Sequence, residues 1–166
     1  ITVNGYTGTI DLLGNNLTTT GTNLFTTGTI SNTGGAASVV LNTTGLTTFN
    51  GTLFTANISG SSGRLLFNGS TFNGTVAVTK TVNTNDDGTG NNTFGNSVTL
   101  TNASSNRLRM ATTTRDIFNG ALSLISNGTG ALELGYSSAG IQINNNVTIT
   151  YTLPGTISFG ASTGTS

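Results

Sequence analysis

Residues 118–134 read Phe118-Asn119-Gly120-Ala121-Leu122-Ser123-Leu124-Ile125-Ser126-Asn127-Gly128-Thr129-Gly130-Ala131-Leu132-Glu133-Leu134. The stretch opens on an aromatic followed by Asn-Gly. Leu122 and Leu124 are then separated by one residue, as are Leu132 and Leu134. A spacing of two puts each pair on one face of a strand. The Ser, Asn, Gly and Thr between the pairs are turn formers. The segment therefore reads as strand, corner, strand.

The same phrase recurs in both directions. Its marker stands at Phe49-Asn50-Gly51 and Phe72-Asn73-Gly74, and in degenerate form at Phe94-Gly95-Asn96 and Ile143-Asn144-Asn145; Phe25 begins the series, and the steps are 24, 23, 22, 24 and 25 residues. The first apolar pair recurs as Val76/Val78, Val98/Leu100, Leu122/Leu124 and Val147/Ile149. The second recurs as Val39/Leu41, Leu108/Met110, Leu132/Leu134 and Ile157/Phe159, with Leu65/Phe67 in the same column after a two-residue insertion. One unit, Phe72 to Thr93, lacks the second pair and carries the polar run Asn83–Gly88 instead. A repeat of this length whose strands cannot bury their apolar face alone predicts a stacked architecture.

The expected fold is all-β: a parallel β-solenoid of about seven coils of 22–25 residues, forming one domain over residues 1–166. Right-handed connections are the expectation for parallel crossovers. Phe25, Phe49, Phe72, Phe94, Phe118 and Ile143 are expected to form one interior stack, with the Asn of each marker laddering from coil to coil. Seven coils would make a rod roughly 34 Å long. A sandwich or barrel would instead show hairpins at shorter spacing.

Composition narrows the function. The 166 residues include 36 Thr, 24 Gly, 22 Asn and 16 Ser, which disfavour helix. There is no His, Cys or Trp, which removes histidine and thiol catalysis, disulfides and His or Cys metal sites. Five Lys or Arg against five Asp or Glu leave no net charge, so nucleic acid is not an expected partner. No apolar run reaches the length of a spanning helix, and membrane insertion is not expected. A chain opening at Ile1, without a basic-then-apolar leader, reads as a processed or excised piece.

The ends suggest an assembly surface. Ile1-Thr2-Val3 followed by Gly8-Thr9-Ile10-Asp11-Leu12 parallels Val147-Thr148-Ile149 followed by Gly155-Thr156-Ile157-Ser158-Phe159. Neither end carries a capping helix or a charged run, the usual protection for exposed strand edges. Ile1, Val3, Ile10, Leu12, Ile157 and Phe159 are the expected assembly interface, and self-association into filaments is the expected partner mode.

The phrase Phe118-Asn119-Gly120-Ala121-Leu122-Ser123-Leu124, then Gly130-Ala131-Leu132-Glu133-Leu134, then Ser137-Ser138-Ala139-Gly140, resembles repeats of the giant secreted surface proteins of Bacteroidota. Those are adhesin-like, gliding-associated proteins exported by the type IX system. Residues 49–150 carry the resemblance well and the remainder loosely. It implies an extracellular or cell-surface location and a structural or adhesive role, and it supplies no catalytic residues. The export signal of that family is not in these residues.

Several side chains raise other functions. Glycoside cleavage uses two carboxylates across the scissile bond, and the acids are Asp11, Asp86, Asp87, Asp116 and Glu133. Only Asp86 and Asp87 are close in sequence, and neighbours on a strand point to opposite sides. Arg109 and Glu133 share a column, with Arg107 on the same face, and read as a surface ion pair between coils. Arg64 and the Arg115-Asp116 corner read as solvated charges. Asp86 and Asp87 are weak calcium candidates with nearby Asn or carbonyl oxygens, although the run matches neither common calcium-loop pattern. Thr-x-Thr steps raise ice binding, but the column Ala56, Thr79, Thr101, Ile125, Thr150 is interrupted at Ile125. Asn-x-Ser/Thr triplets at Asn50, Asn73, Asn127 and Asn146 are frequent in so Asn- and Thr-rich a chain. No enzyme activity and no cofactor are expected. The leading expectation is an extracellular structural filament or stalk that contacts surface polysaccharide weakly at many points. An ice- or glycan-binding solenoid is the alternative, and a β-helix carbohydrate-active enzyme the third.

Overall fold

Apolar residues two apart, followed by Gly, Asn or Thr corners, give each turn of chain three short strands, one for each side of a stack. The computed structural model describes residues 2–3, 6–136 and 140–160, and the described residues form a parallel β-solenoid of about seven turns without helix. The first side holds Thr9–Asp11, Thr29–Ser31, Leu53–Phe54, Thr71–Phe72, Thr93–Phe94, Asp116–Phe118 and Ile141–Ile143. The second side holds Leu17–Thr19, Ser38–Asn42, Asn57–Ser62, Val76–Lys80, Val98–Asn102, Leu122–Ser126 and Val147–Tyr151. The third side is two four-stranded sheets in succession. One comprises Thr2–Val3, Asn23–Thr26, Leu46–Asn50 and Arg64–Asn68; the other comprises Asp86–Asp87, Leu108–Met110, Leu132–Leu134 and Ile157–Phe159.

All strand pairings among the described residues are parallel, and they put identical columns in register. On the second side Val76, Val98, Leu122 and Val147 are neighbours, as are Val78, Leu100, Leu124 and Ile149. On the later third side Leu108, Leu132 and Ile157 align, as do Met110, Leu134 and Phe159. Apart from Val147, Ile149 and Phe159 in the last coil, these residues belong to or pack against one continuous core, and burying them is what offsets the entropy of ordering the chain.

The aromatic column departs from expectation. Phe25, Phe49 and Phe67 stack on the third side, whereas Phe54, Phe72, Phe94, Phe118 and Ile143 align on the first. The cause is one short coil: Phe54 and Phe72 are in-register neighbours only 18 residues apart, against 25 from Phe118 to Ile143. The 23-residue step from Phe49 to Phe72 therefore crosses from one side to another. Within each column the rings lie nearly parallel, with centroids 4.6 Å apart for Phe94–Phe118 and 5.7 Å for Phe25–Phe49. Between columns they meet edge to face, as Phe49 and Phe54 do at 5.5 Å and 84°. Both arrangements suit the ring quadrupole.

The short coil also moves other residues. Val39 and Leu41 sit on the second side, beside Ile58 and Gly60, not on the third. Gly60 falls in register between Leu41 and Val78 but is itself exposed, with φ of 104°. Any Cβ there would collide with the Leu41 carbonyl oxygen, so only glycine fits both the space and the left-handed backbone. The Asn ladder is realised in part: Asn144 Nδ2 donates to Asn119 Oδ1 at 2.7 Å.

At the corners the backbone leaves its ladder, and polar side chains take over the vacated bonds. Where the third side meets the first, Ser70 Oγ accepts from Thr52 N, Asn92 Oδ1 from Ser70 N, and Asp116 Oδ1 from Asn92 N. Where the second side meets the third, Ser62, Lys80, Asn102 and Ser126 form a buried polar column.

Candidate functional site

The third side collects most of the charge. The polar run Asn83–Gly88 takes the place of the missing apolar pair, and Asp86 enters the inward column beside Leu108. Its carboxylate is fully buried. Arg64 Nε donates to Asp86 Oδ1 at 2.7 Å, and Leu65 N donates to Oδ2 at 2.9 Å. A side chain thus accepts from Leu65 N at the point where the two sheets of this side meet. Lys80 approaches from the neighbouring side with its Nζ 3.9 Å from Asp86 Oδ2 and fully buried. That Nζ donates to the Val82 carbonyl at 2.5 Å and to Ser104 Oγ at 2.8 Å. Burial holds the Lys80 amine below its ordinary pKa, against the opposing pull of Asp86.

Asp87 points the other way, outward. Arg107 grips it through two bonds of 2.8 Å, which hold its carboxyl below the usual carboxylate range. Arg109 Nε bonds Glu133 Oε2 at 2.5 Å in the next coil, and its guanidinium lies 3.5 Å from the centroid of the Tyr136 ring. The expected Arg109–Glu133 column is therefore present, with Arg107 engaged by Asp87. Asp86 and Asp87 do not converge on one point, each being held by its own arginine. Among the described residues no group of three acids could hold a metal ion.

Two expected solvated charges are placed differently. Arg64 reaches a buried acid, and Asp116 is itself buried. Asp116 Oδ1 accepts from both N and Nδ2 of Asn92 at 2.8 Å, while Oδ2 has no partner. Burial pushes this carboxyl up to about 6, partly opposed by the Asn92 bonds. Its sequence neighbourhood, beside Arg115, gave no sign of this. The signal that could have found it is positional: Asp116 stands two residues before Phe118, as Asn92 stands before Phe94 and Ser70 before Phe72.

The second side presents two outward columns of small residues. One reads Asn42, Ser61, Thr79, Thr101, Ile125, Thr150 and the other Val40, Ser59, Ala77, Thr99, Ser123, Thr148. Ala56, expected in the first column, is instead buried. An open groove of about 360 Å³ flanks this face, lined by Thr20, Asn42, Thr43, Thr44, Ser61 and Thr81.

At the ends, Ile1 lies outside the described residues, as does the run Ser137-Ser138-Ala139. Val3 pairs with Phe25 on the third side, so Thr2–Val3 is not the counterpart of Val147–Tyr151 on the second. Ile10 and Ile157 are half-buried and Leu12 is buried. Val147, Ile149 and Phe159 are 39%, 44% and 46% exposed, whereas their in-register neighbours Leu122, Leu124 and Leu134 are at most 1% exposed. The last coil thus shows water the side chains that every inner coil hides. No helix among the described residues is long and apolar enough to cross a membrane. The chain matches no protein-family model, no curated protein and no solved structure.

Proposed function

We propose that this chain is a structural segment of an extracellular filament or stalk, with an adhesive surface and no enzymatic activity. The observation that carries the reading is the engagement of its charged groups in the stack. Asp86, Asp87 and Glu133 are held by Arg64, Arg107 and Arg109, Asp116 closes a corner ladder, and Asp11 accepts from Thr33 and Leu13. The outward surface left over is mainly hydroxyl and amide. Such a surface hydrogen-bonds neutral polysaccharide weakly per contact and gains strength by repetition along a rod. Parallel ladders, ring stacks and polar corners resist pulling along many bonds at once. The exposed apolar side chains of the last coil suit the addition of a further coil, from the same chain or another copy. The resemblance to secreted surface repeats agrees with an extracellular, type IX-exported adhesin.

A second reading, ice or glycan binding, draws on the paired outward columns of the second side. Ile125, Ala77 and Val40 interrupt their hydroxyls, which favours the structural reading. Electron microscopy of the protein from its native source, with intact mass beside it, tests the proposal. Long unbranched fibres are expected, with a ~17 kDa chain meaning stacked copies and a far larger one meaning a giant adhesin. Isolated short rods would overturn it and direct attention to ice-growth and glycan titrations.

A further inference from the structure

The coil from Phe72 to Thr93 is the one whose third side lost its apolar pair, and it carries the buried Lys80–Asp86 contact. We propose that Lys80 and Asp86 condense into an intramolecular amide bond, a covalent clamp across the corner between the second and third sides. Both side chains are fully buried, with Nζ 3.9 Å from Oδ2. The amine is aimed by Val82 O and Ser104 Oγ. The carboxyl is fixed at both oxygens, by Arg64 Nε and by Leu65 N. Two reacting groups held this way need no encounter, and orientation alone supplies much of such a barrier.

The step balances without a co-reactant. The Lys80 ammonium passes one proton to Asp86 Oδ2, which leaves a neutral amine and a carboxylic acid. Nζ attacks Cγ, and the charge that develops on Oδ1 faces the Arg64 guanidinium, an oxyanion-stabilising position. The Cγ–Oδ2 bond breaks, and Oδ2 departs as water with a second proton from the amine. The remaining N–H keeps its bond to the Val82 carbonyl. Burial depresses the Lys80 pKa and so enlarges the neutral-amine fraction that the attack requires. The product replaces two buried ions with one neutral, hydrogen-bonded amide, which is less costly to keep from water.

The chain is well suited to a decisive test, because Lys80 is its only lysine. The full recombinant chain is denatured, its intact mass is measured, and it is treated with an amine-reactive tag. The expected mass is that of the sequence less one water, with tagging at the α-amine alone. Trypsin is expected to cut the denatured chain after Arg64 and Arg107 but not after Lys80. A full mass with two tagged amines would overturn the proposal. So would loss of water with Lys80 still tagged and cut, since ring closure at Asp87-Gly88 also sheds water but leaves that amine free. Asp86→Ala is expected to regain the full mass and the second amine. If that variant does not accumulate, fragmentation of the wild-type 65–107 peptide decides, by showing or failing to show a link between residues 80 and 86.

Discussion

Asp116→Asn isolates a carboxyl whose native pKa stands well above its ordinary value. Asp116 titrates near 6 in the folded chain against 3.8 for an ordinary Asp, because burial penalises its charge. Between those values the native state keeps a proton that the unfolded state releases. The stability this supplies is fully present below pH 3.8 and is lost as pH rises through 6. A shift of about two units corresponds to about 3 kcal/mol across the window. Asn cannot titrate, so the variant lacks this slope. Asp11 and Asp87 act in the opposite sense, since their lowered pKa values give stability above 3.8 that is lost on acidification. They are shared by both proteins and cancel in the difference. Urea unfolding of both chains at steps from pH 3.5 to 7 reads the effect, and the wild type is expected to lose about 3 kcal/mol relative to the variant. Parallel curves across that range would refute the reasoning.

Other perturbations separate the contributions of the interior, the corner and the surface. Phe72→Ala empties a position between Phe54 and Phe94 and should cost about 3–5 kcal/mol in urea midpoints, whereas outward Thr99→Ala should stay within about 0.5 kcal/mol. Arg64→Ala removes the guanidinium that faces Asp86 Oδ1 and should leave more of the chain at full intact mass with a taggable Lys80 than the wild type. Arg107→Ala touches an exposed pair and should cost about 0–1 kcal/mol, less in high salt. Gly60→Ala forces a Cβ against the Leu41 carbonyl and a left-handed backbone; it should lower the thermal midpoint far more than Ala77→Gly on the same side.

What was readable in the sequence was whatever recurs at a fixed offset. Val98/Leu100 and Leu122/Leu124 alternate with strand period and follow a marker, so their column needed no coordinates. The 18-residue coil broke that logic. Phe67 and Phe72 lie five residues apart on different sides, and the short coil disguised Phe54 and Phe67 as ordinary apolar residues. A single deletion inside a solenoid shifts every later marker to another side while preserving the visible spacing. Buried charge was hidden for a related reason. Asp86 and Asp116 fill inward positions that apolar or amide residues hold elsewhere, and their composition is that of a solvated loop. Lys80 gave a fainter clue, because it stands two residues after Val78 and four after Val76 and so continues the inward face of their strand. The Arg109–Glu133 pair was legible because both residues fall at the same offset in successive coils.

The proposed filament is a rod whose strands lie across its long axis. Diffraction from aligned fibres of the native protein tests that most directly. The strand spacing of ~4.8 Å should appear along the fibre axis. Fibres whose strand reflection lies off that axis, or a native protein that yields no fibres, would contradict it.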